Sequence, residues 1–238
     1  MKDLIHYIAT KLKQKFDSHN NLSFFTTFVP FIFNDIKMNF TQTSNRIFKQ
    51  AITDYHVSDR VDTPINNPFP IKSIEYYLYL KNWIDTVQWH FEDIIRDPNI
   101  NPTEALVLKR CIDKSNQDRT DLVELIDSYF LAQYKNVKVL GSATINTESP
   151  AWAIDRLSIL ALKIYHMQQE VERNDTTPEH HAQCQAKLTV LIQQEKDLSN
   201  AIEQLLEDIE NGRKYMKVYK QMKMYNDPAL NPVLYGKK

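Results

Sequence analysis

Residues 81–127 carry polar side chains at positions where a helical protein normally places its core. In the half before residue 97, one face of the predicted helix is apolar and five polar residues border it: Lys81, Asp85, Gln88, His90 and Glu92. In the half after residue 101, Arg119 projects from inside the apolar face and Asn116 lies at its edge. An unpaired buried charge costs roughly 3–5 kcal/mol, so a carboxylate should pair with Arg119. The nearest in sequence are Asp85, Glu92 and Asp127.

A second polar stripe lies on the segment from 150 to 172, which is apolar around most of its circumference and is therefore predicted to be buried. The stripe includes Asp155, Arg156, Lys163 and His166. If it faces the first cluster, cations such as Arg119 and Lys163 would bind an anionic group. Glu92, Asp155 and His166 are then the candidate acid–base, or catalytic, residues. The alternatives are a solvated stripe and a structural ion-pair network, and His90 alone is more typical of a hydrogen-bonded core residue.

A basic segment, residues 213–223, alternates lysine and arginine with tyrosine. Such a pattern can bind phosphates and stack on bases, or it can form a strap whose lysines lie along a helical bundle. Because basic and acidic residues are balanced along the whole chain, we expect no nucleic-acid partner. Lys220 and Lys223 remain candidates for a phosphate group on a small ligand.

Metal and cofactor motifs are missing from the sequence. The Glu-x-x-His pattern of di-iron bundles does not precede His56, His90 or His166. Asp121, Glu124 and Asp127 have a spacing seen in magnesium-binding helices, but no matching upstream pair accompanies them. The sequence therefore predicts no metal site and leaves any cofactor unknown.

The elements that must position these residues are long helices. Residues 97–102, Asp-Pro-Asn-Ile-Asn-Pro, interrupt the helical pattern, and Asn101 and Pro102 are suited to begin the next helix. Ser149-Pro150 and Thr177-Pro178 start two more in the same way. The last of these would run about 50 Å to Gly212, a natural helix C-cap.

The remaining segments are less regular. Residues 3–17 and 34–56 have helical spacing, whereas 23–33 fits either a helix or an extended strap. Residues 57–70 contain three prolines and are predicted to be a loop. Residues 132–150 are irregular, with a possible short strand at 137–140 that lacks an obvious partner.

Composition limits the class of protein. The chain has 238 residues, only three glycines and a net charge of -1, which argues against a glycine-rich phosphate loop and against a global field that attracts nucleic acid or membrane. Two cysteines without CxxC spacing and no signal-peptide-like core at the start predict a reduced, cytoplasmic protein. No apolar run reaches the roughly 18 residues of a membrane span, so no membrane association is expected.

These patterns predict an all-α protein, a single-domain helical bundle with long antiparallel helices and an extended basic C-terminal strap. We expect residues 1–238 to form one domain, divided into an N-terminal helix and aromatic segment (1–38), a core bundle (39–225) and a tail (226–238).

Four strings, WIDTVQWHFEDIIRD, IDKSNQDRTDLVELID, NTESPAWAIDRLSILALKIYHM and YKQMKMYNDPALNPVLY, resemble a bacterial family known only as domain of unknown function 4254. The resemblance runs from about Asn39 to Tyr235. It implies no assigned activity and no catalytic residues. It does associate the chain with gene neighbourhoods for cell-envelope glycans and glycosyltransferases.

Two functional classes follow. The first is a binder of, or enzyme for, a polar anionic small molecule such as a sugar phosphate or nucleotide sugar. The second is a non-catalytic interaction or scaffold protein that pairs through its long final helix, with a partner or as a homodimer. Convergence of Arg119, Glu92, Asp155 and His166 in one pocket would favour the first class.

Overall fold

A computed structural model describes residues 38–224 and 227–236. The predictions for residues 3–17 and 23–33 lie outside these ranges. Within them the protein is all-α, as the sequence predicted. Its helices are α1 (Phe40–His56), α2 (Ile74–Ile94), α3 (Pro102–Gln133), α4 (Pro150–Glu172), α5 (Pro178–Glu210) and the short α6 (Pro232–Tyr235).

The helices begin where capping chemistry allows them to begin. The side chain of Asn101 accepts from the backbone N–H of Thr103 and starts α3 with Pro102 in its first turn. Ser149 and Thr177 cap α4 and α5, each followed by a proline. Each cap satisfies a backbone N–H that has no partner inside its helix, so the predicted helix starts are confirmed.

The core lies where α1, α2, α3 and α4 meet, and α5 packs mainly along α4. Turn 95–101 folds α3 back along α2, which gives the central helical hairpin. The fully buried side chains include Phe48 and Tyr55 of α1, Ile126 of α3 and Leu157 of α4. Polar residues on the inner faces of α2, α3 and α4 are therefore brought close to one another.

The chain after α5 runs back over the bundle as an irregular strap. Gly212 has φ +69°, and a Cβ there would lie 2.4 Å from the carbonyl oxygen of Lys138, so glycine is required at this close approach. The backbone N–H of Leu140 donates to the carbonyl of Gly212 (2.9 Å). The described ranges contain one isolated bridge, Thr144 to Lys214, and no strand at 137–140, because no neighbouring extended segment offers that stretch a ladder.

No helix in the described ranges is long and apolar enough to cross a bilayer. Cys111 and Cys184 are both free thiols.

Candidate functional site

A buried network of charged residues links α2, α3 and α4. Lys81 is completely buried, and its Nζ contacts the Asp85 carboxylate one helical turn away and lies 3.0 Å from Asp155 Oδ1. Arg119 donates from Nε and Nη2 to the two carboxylate oxygens of Asp155, at 2.8 and 2.6 Å. Such a paired geometry fixes the plane of the guanidinium as well as its position. The network contains two cations and two carboxylates.

Hydrogen bonds complete this network on the side of α4. The Ser158 hydroxyl donates to Asp85 Oδ2 at 2.6 Å, and Asn82 Nδ2 donates to the same hydroxyl at 3.1 Å. All four of Lys81, Asp85, Asp155 and Ser158 are less than one-tenth exposed. Charges buried this deeply are tolerated only when paired and hydrogen-bonded, and here they are.

The two carboxylates have opposite pKa shifts. Burial, reinforced by the nearby charge of Asp155, raises the pKa of Asp85 despite its contact with Lys81. Burial would also raise the pKa of Asp155, but hydrogen bonds from Arg119 and the charges of Lys81 and Arg119 outweigh it and lower that pKa. Asp85 is thus the carboxyl of the network that most readily holds a proton.

Arg119 connects the network to two surface clefts. The first, about 370 Å³, is lined by Asp85, Gln88, Glu92 and Arg119, among others. The second, about 330 Å³, is lined by Asn116, Arg119, Thr120, Trp152 and Lys223, together with Asp113 and Gln221. Gln88 of the first cleft donates to the Asn116 side chain of the second at 2.9 Å. Nε and Nη2 of Arg119 donate to Asp155, whereas Nη1 makes no hydrogen bond to any described residue.

The basic strap closes the second cleft. Lys223 Nζ donates to Thr120 Oγ1 (2.7 Å) and to the carbonyl of Asn116 (3.2 Å), both on α3. The backbone N–H of Gln221 donates to Glu124 (3.1 Å) and holds the strap to the same helix. The cleft brings two cations, Arg119 and Lys223, together against one carboxylate, Asp113, which Lys109 already pairs.

A second polar cluster consists of three histidines from three helices: His56 at the end of α1, His90 in α2 and His166 in α4. Their nearest ring nitrogens all lie within 4.8 Å of one another. Burial lowers the pKa of His90, and burial with the neighbouring His90 and His56 lowers the pKa of His166 to about 4. At neutral pH the imidazoles of His90 and His166 are therefore uncharged.

Some candidate residues lie apart from the network. Glu92 lines the first cleft but pairs with Arg96 at 2.7 Å, not with Arg119. Asp127, another expected partner for Arg119, accepts from the Ser149 hydroxyl (2.7 Å) and the Ala151 N–H instead, at the start of α4. The carboxylate nearest to Arg119 in space is that of Asp155, 36 residues away in sequence, because α4 lies against α3.

The polar stripe of α4 is divided among different surroundings. Asp155 joins the buried network, whereas His166 lies with His56 and His90. Arg156 is exposed and pairs with Glu148 at 2.7 Å, and Lys163 is exposed at the rim of a groove between α4 and α5. Lys220 is exposed on the strap and lines neither cleft that Arg119 touches. Of the four residues expected to converge, Arg119 and Glu92 line the first cleft, Asp155 binds Arg119 from the buried side, and His166 lies in the histidine cluster.

Ser158 and His56 are not among the residues that the sequence pattern selects, and Lys81 is selected only as a residue that borders the apolar face, not as a member of the site. Lys81 precedes Asp85 by one helical turn beside an apolar face, a spacing that suits an ion pair but is equally common at exposed positions such as Lys109 and Asp113. The sequence gives no sign that one pair is buried and the other is not.

The fold and this site define an all-helical protein with a fully paired ion network in its core and clefts on either side of one arginine. The chain belongs to the family described as "Protein of unknown function (DUF4254)", whose profile matches residues 75–218. The matched region includes the whole ion network and ends at residue 218, before Lys220 and Lys223 of the strap. No curated protein and no solved structure matches the chain significantly.

Proposed function

We propose that the protein binds a small molecule with a phosphate-like anionic group, and that this group occupies the cleft between Arg119 and Lys223. The observation that carries the proposal is the convergence of these two cations, one from α3 and one from the strap, in a cleft of about 330 Å³. That volume lies at the lower end of the range for small-molecule sites.

Arg119 is prepared for this role by the buried network. Its Nε and Nη2 bind Asp155, which in turn contacts Lys81, so the guanidinium is held in place before any ligand arrives. A pre-positioned donor binds an anion without losing side-chain entropy at that moment. Asn116 and Thr120 supply further polar groups at the wall, and Trp152 supplies an apolar one.

The class of ligand follows from two sources. The cations and hydrogen-bonding groups favour a phosphate or a carboxylate. The family resemblance adds a glycan context, which makes a sugar phosphate or a nucleotide sugar our preferred ligand. The neighbouring cleft would receive the polar remainder of such a molecule, beside Gln88 and Glu92.

Catalysis is a further step of the same proposal. Asp85 combines a raised pKa with a position on the wall of the first cleft, and Glu92 lies on the same wall. A carboxyl with a raised pKa beside a second carboxyl is an arrangement that acid–base enzymes use. The sequence predicted Glu92, Asp155 and His166 as the catalytic set. Because His166 lies in the histidine cluster, we propose Asp85 in its place, with Asp155 as the residue that positions Arg119.

The test is a thermal-shift screen of the full-length protein with sugar phosphates, nucleotide sugars and inorganic phosphate, followed by two matched variants. Lys223→Gln removes a cation from the cleft, and Lys220→Gln removes one from an exposed position on the same strap. We expect the ligand-induced shift to be lost in the first and retained in the second. An equal loss of the ligand-induced shift in both variants would indicate general attraction between charges and would contradict binding in the cleft.

A panel in which no compound raises the Tm would favour the other class, an interaction protein. Val190 and Ile192 of α5 are 56% and 39% exposed, so this helix offers apolar residues to a partner. Sedimentation equilibrium would then decide whether the partner is a second copy, since Val190→Glu should dissociate such a dimer.

A further inference from the structure

We propose that His56, His90 and His166, together with Asp59, form a binding site for a divalent transition-metal ion of the zinc class. This site is separate from the Arg119 cleft and does not depend on the proposed function. Three imidazole nitrogens and one carboxylate oxygen are a ligand set that Zn²⁺ accepts. The sequence predicted no metal here, because the ligands come from three helices and a turn.

The distances among the ligand atoms fit one ion. His56 Nε2 and His90 Nε2 are 3.4 Å apart, and Asp59 Oδ1 lies 3.7 Å from His90 Nε2 and 3.9 Å from His56 Nε2. With zinc–ligand bonds of about 2.0–2.2 Å, neighbouring ligand atoms in a tetrahedron are roughly 3.3–3.5 Å apart. Small side-chain rotations would bring His166, whose ligand atom lies within 4.8 Å of those of His56 and His90, into the same sphere.

The tautomer of His56 suits a metal ligand. Its Nδ1 lies 2.7 Å from the carbonyl oxygen of Ile52, so Nδ1 carries the proton and Nε2 presents its lone pair to the cluster. Metal-binding histidines are usually held in this way, with the second ring nitrogen donating to a carbonyl or a carboxylate.

Hydrogen bonding within the cluster leaves its polar atoms poorly satisfied. The 3.4 Å separation of His56 and His90 is long for a hydrogen bond. Nε2 of His166 is buried and has no hydrogen-bond partner among the described residues. A buried polar atom without a partner costs about 1–3 kcal/mol, and a metal ion would satisfy it together with the other two histidines.

Aromatic rings form the wall of the site and hold the imidazoles in place. Tyr55 stacks on His90 with centroids 5.1 Å apart, Tyr165 lies 4.4 Å from His56, and Trp89 stacks on His166 at 4.6 Å. Asp59 is 49% exposed and sits in the turn after α1 with φ +50°, which leaves its carboxylate at the mouth of the cluster. The site thus has rigid ligands inside and an entry path for the ion.

The experiment uses untagged full-length protein, stripped with a chelator and titrated with Zn²⁺ and with Co²⁺. We expect one zinc per chain, a higher Tm with zinc, and the intense visible absorption of tetrahedral cobalt. Loss of an outer-shell partner weakens metal binding by about 10–100-fold, and loss of a direct ligand should weaken it more. Replacing any one of His56, His90 or His166 by Gln should therefore weaken zinc binding by more than about 100-fold. Asp59→Asn should weaken it by about 10–100-fold.

Two controls make the site specific. His181→Gln changes an exposed histidine of α5 and should leave zinc binding unchanged. Glu170, His180 and Cys184 form another group that could hold a metal, so His180→Gln must also leave binding unchanged. A thiolate-to-cobalt charge-transfer band, or loss of zinc in His180→Gln, would assign the metal to that group and overturn the proposal.

Failure to bind zinc or cobalt near one equivalent would also overturn it. If a histidine variant does not fold, as judged by circular dichroism, Asp59→Asn and the cobalt spectrum of the parent still decide. Asn tolerates the left-handed backbone of residue 59 as well as Asp does, so this variant should fold.

Discussion

The ion network and the histidine cluster share two helices, α2 and α4, yet they differ in how their polar atoms are satisfied. In the ion network each charge has a partner of opposite sign, and Ser158 supplies a further hydrogen bond. In the histidine cluster three rings face one another, and Nε2 of His166 has no hydrogen-bond partner in the part of the chain that the structure describes. In the first region every charge is paired, although Oδ1 of Asn82 at its edge has no hydrogen-bond partner among the described residues, whereas in the second region the unpartnered atom is itself a candidate metal ligand.

This difference separates two uses of buried polar residues. A fully paired network mainly fixes how helices pack and where an exposed member such as Arg119 points. A cluster of unsatisfied donors and acceptors lowers the stability of the fold, and a bound ion or molecule that satisfies them raises it again. Mutations in the network should therefore act on folding, and mutations in the cluster should act on binding.

The largest effect is expected for Lys81→Ala. It would leave Asp85 and Asp155 buried with one remaining cation, Arg119, and should lower the free energy of unfolding by about 3–5 kcal/mol. Urea denaturation measures this. Lys109→Ala is the matched control, because Lys109 pairs with Asp113 at the same helical spacing but both are more than half exposed. The control should change stability by less than about 0.5 kcal/mol, and equal losses in the two variants would contradict a structural role for burial.

Asp155→Asn should cost less, about 3 kcal/mol at neutral pH, because Asp85 remains beside Lys81 and Arg119. The cost should depend on pH. The pKa of Asp155 in the folded protein is below its ordinary value, so its contribution is present above pH of about 4–5 and is lost as the pH falls further.

The measurement is urea denaturation of both proteins between pH 7 and pH 3. The difference in unfolding free energy should be constant down to about pH 5 and shrink below about pH 4. Asp85 titrates in the opposite sense, and the charge of Asp155 helps to raise its pKa, so the same comparison in an Asp85→Asn background removes the contribution of Asp85 from the difference. A difference that grows on acidification would show that Asp155 is not held ionised by Arg119 and Lys81.

The smallest effect on folding is expected for His166→Gln in the presence of a chelator. Nε2 of His166 makes no hydrogen bond to a described residue, so none of those is lost in the variant. The free energy of unfolding should therefore change by less than about 1 kcal/mol, mostly through the lost stacking on Trp89. With zinc added, only the parent should gain stability. A loss of several kcal/mol without metal would make the histidine cluster as structural as the ion network.

The helices and the central hairpin could be predicted because their signals are local. Asn101-Pro102, Ser149-Pro150 and Thr177-Pro178 start helices through bonds to residues two or three positions away. The inward position of Arg119 and its need for a carboxylate also followed from helical periodicity and the cost of an unpaired buried charge. Of the predicted partners, Asp85 lies 3.7 Å from Arg119 Nε, but the two hydrogen bonds come from Asp155, which was not among them.

The sequence by itself determined an all-α protein, the places where its helices start, and an arginine that must be paired. Only the tertiary structure decided that Lys81 is fully buried while Lys109 is exposed, and that His166 joins His56 and His90 instead of Asp155. The reason is that periodicity tells which side of a helix is apolar, but not which helix lies against it. The rotation and spacing of neighbouring helices come from packing of the whole core, and those set which polar atoms meet.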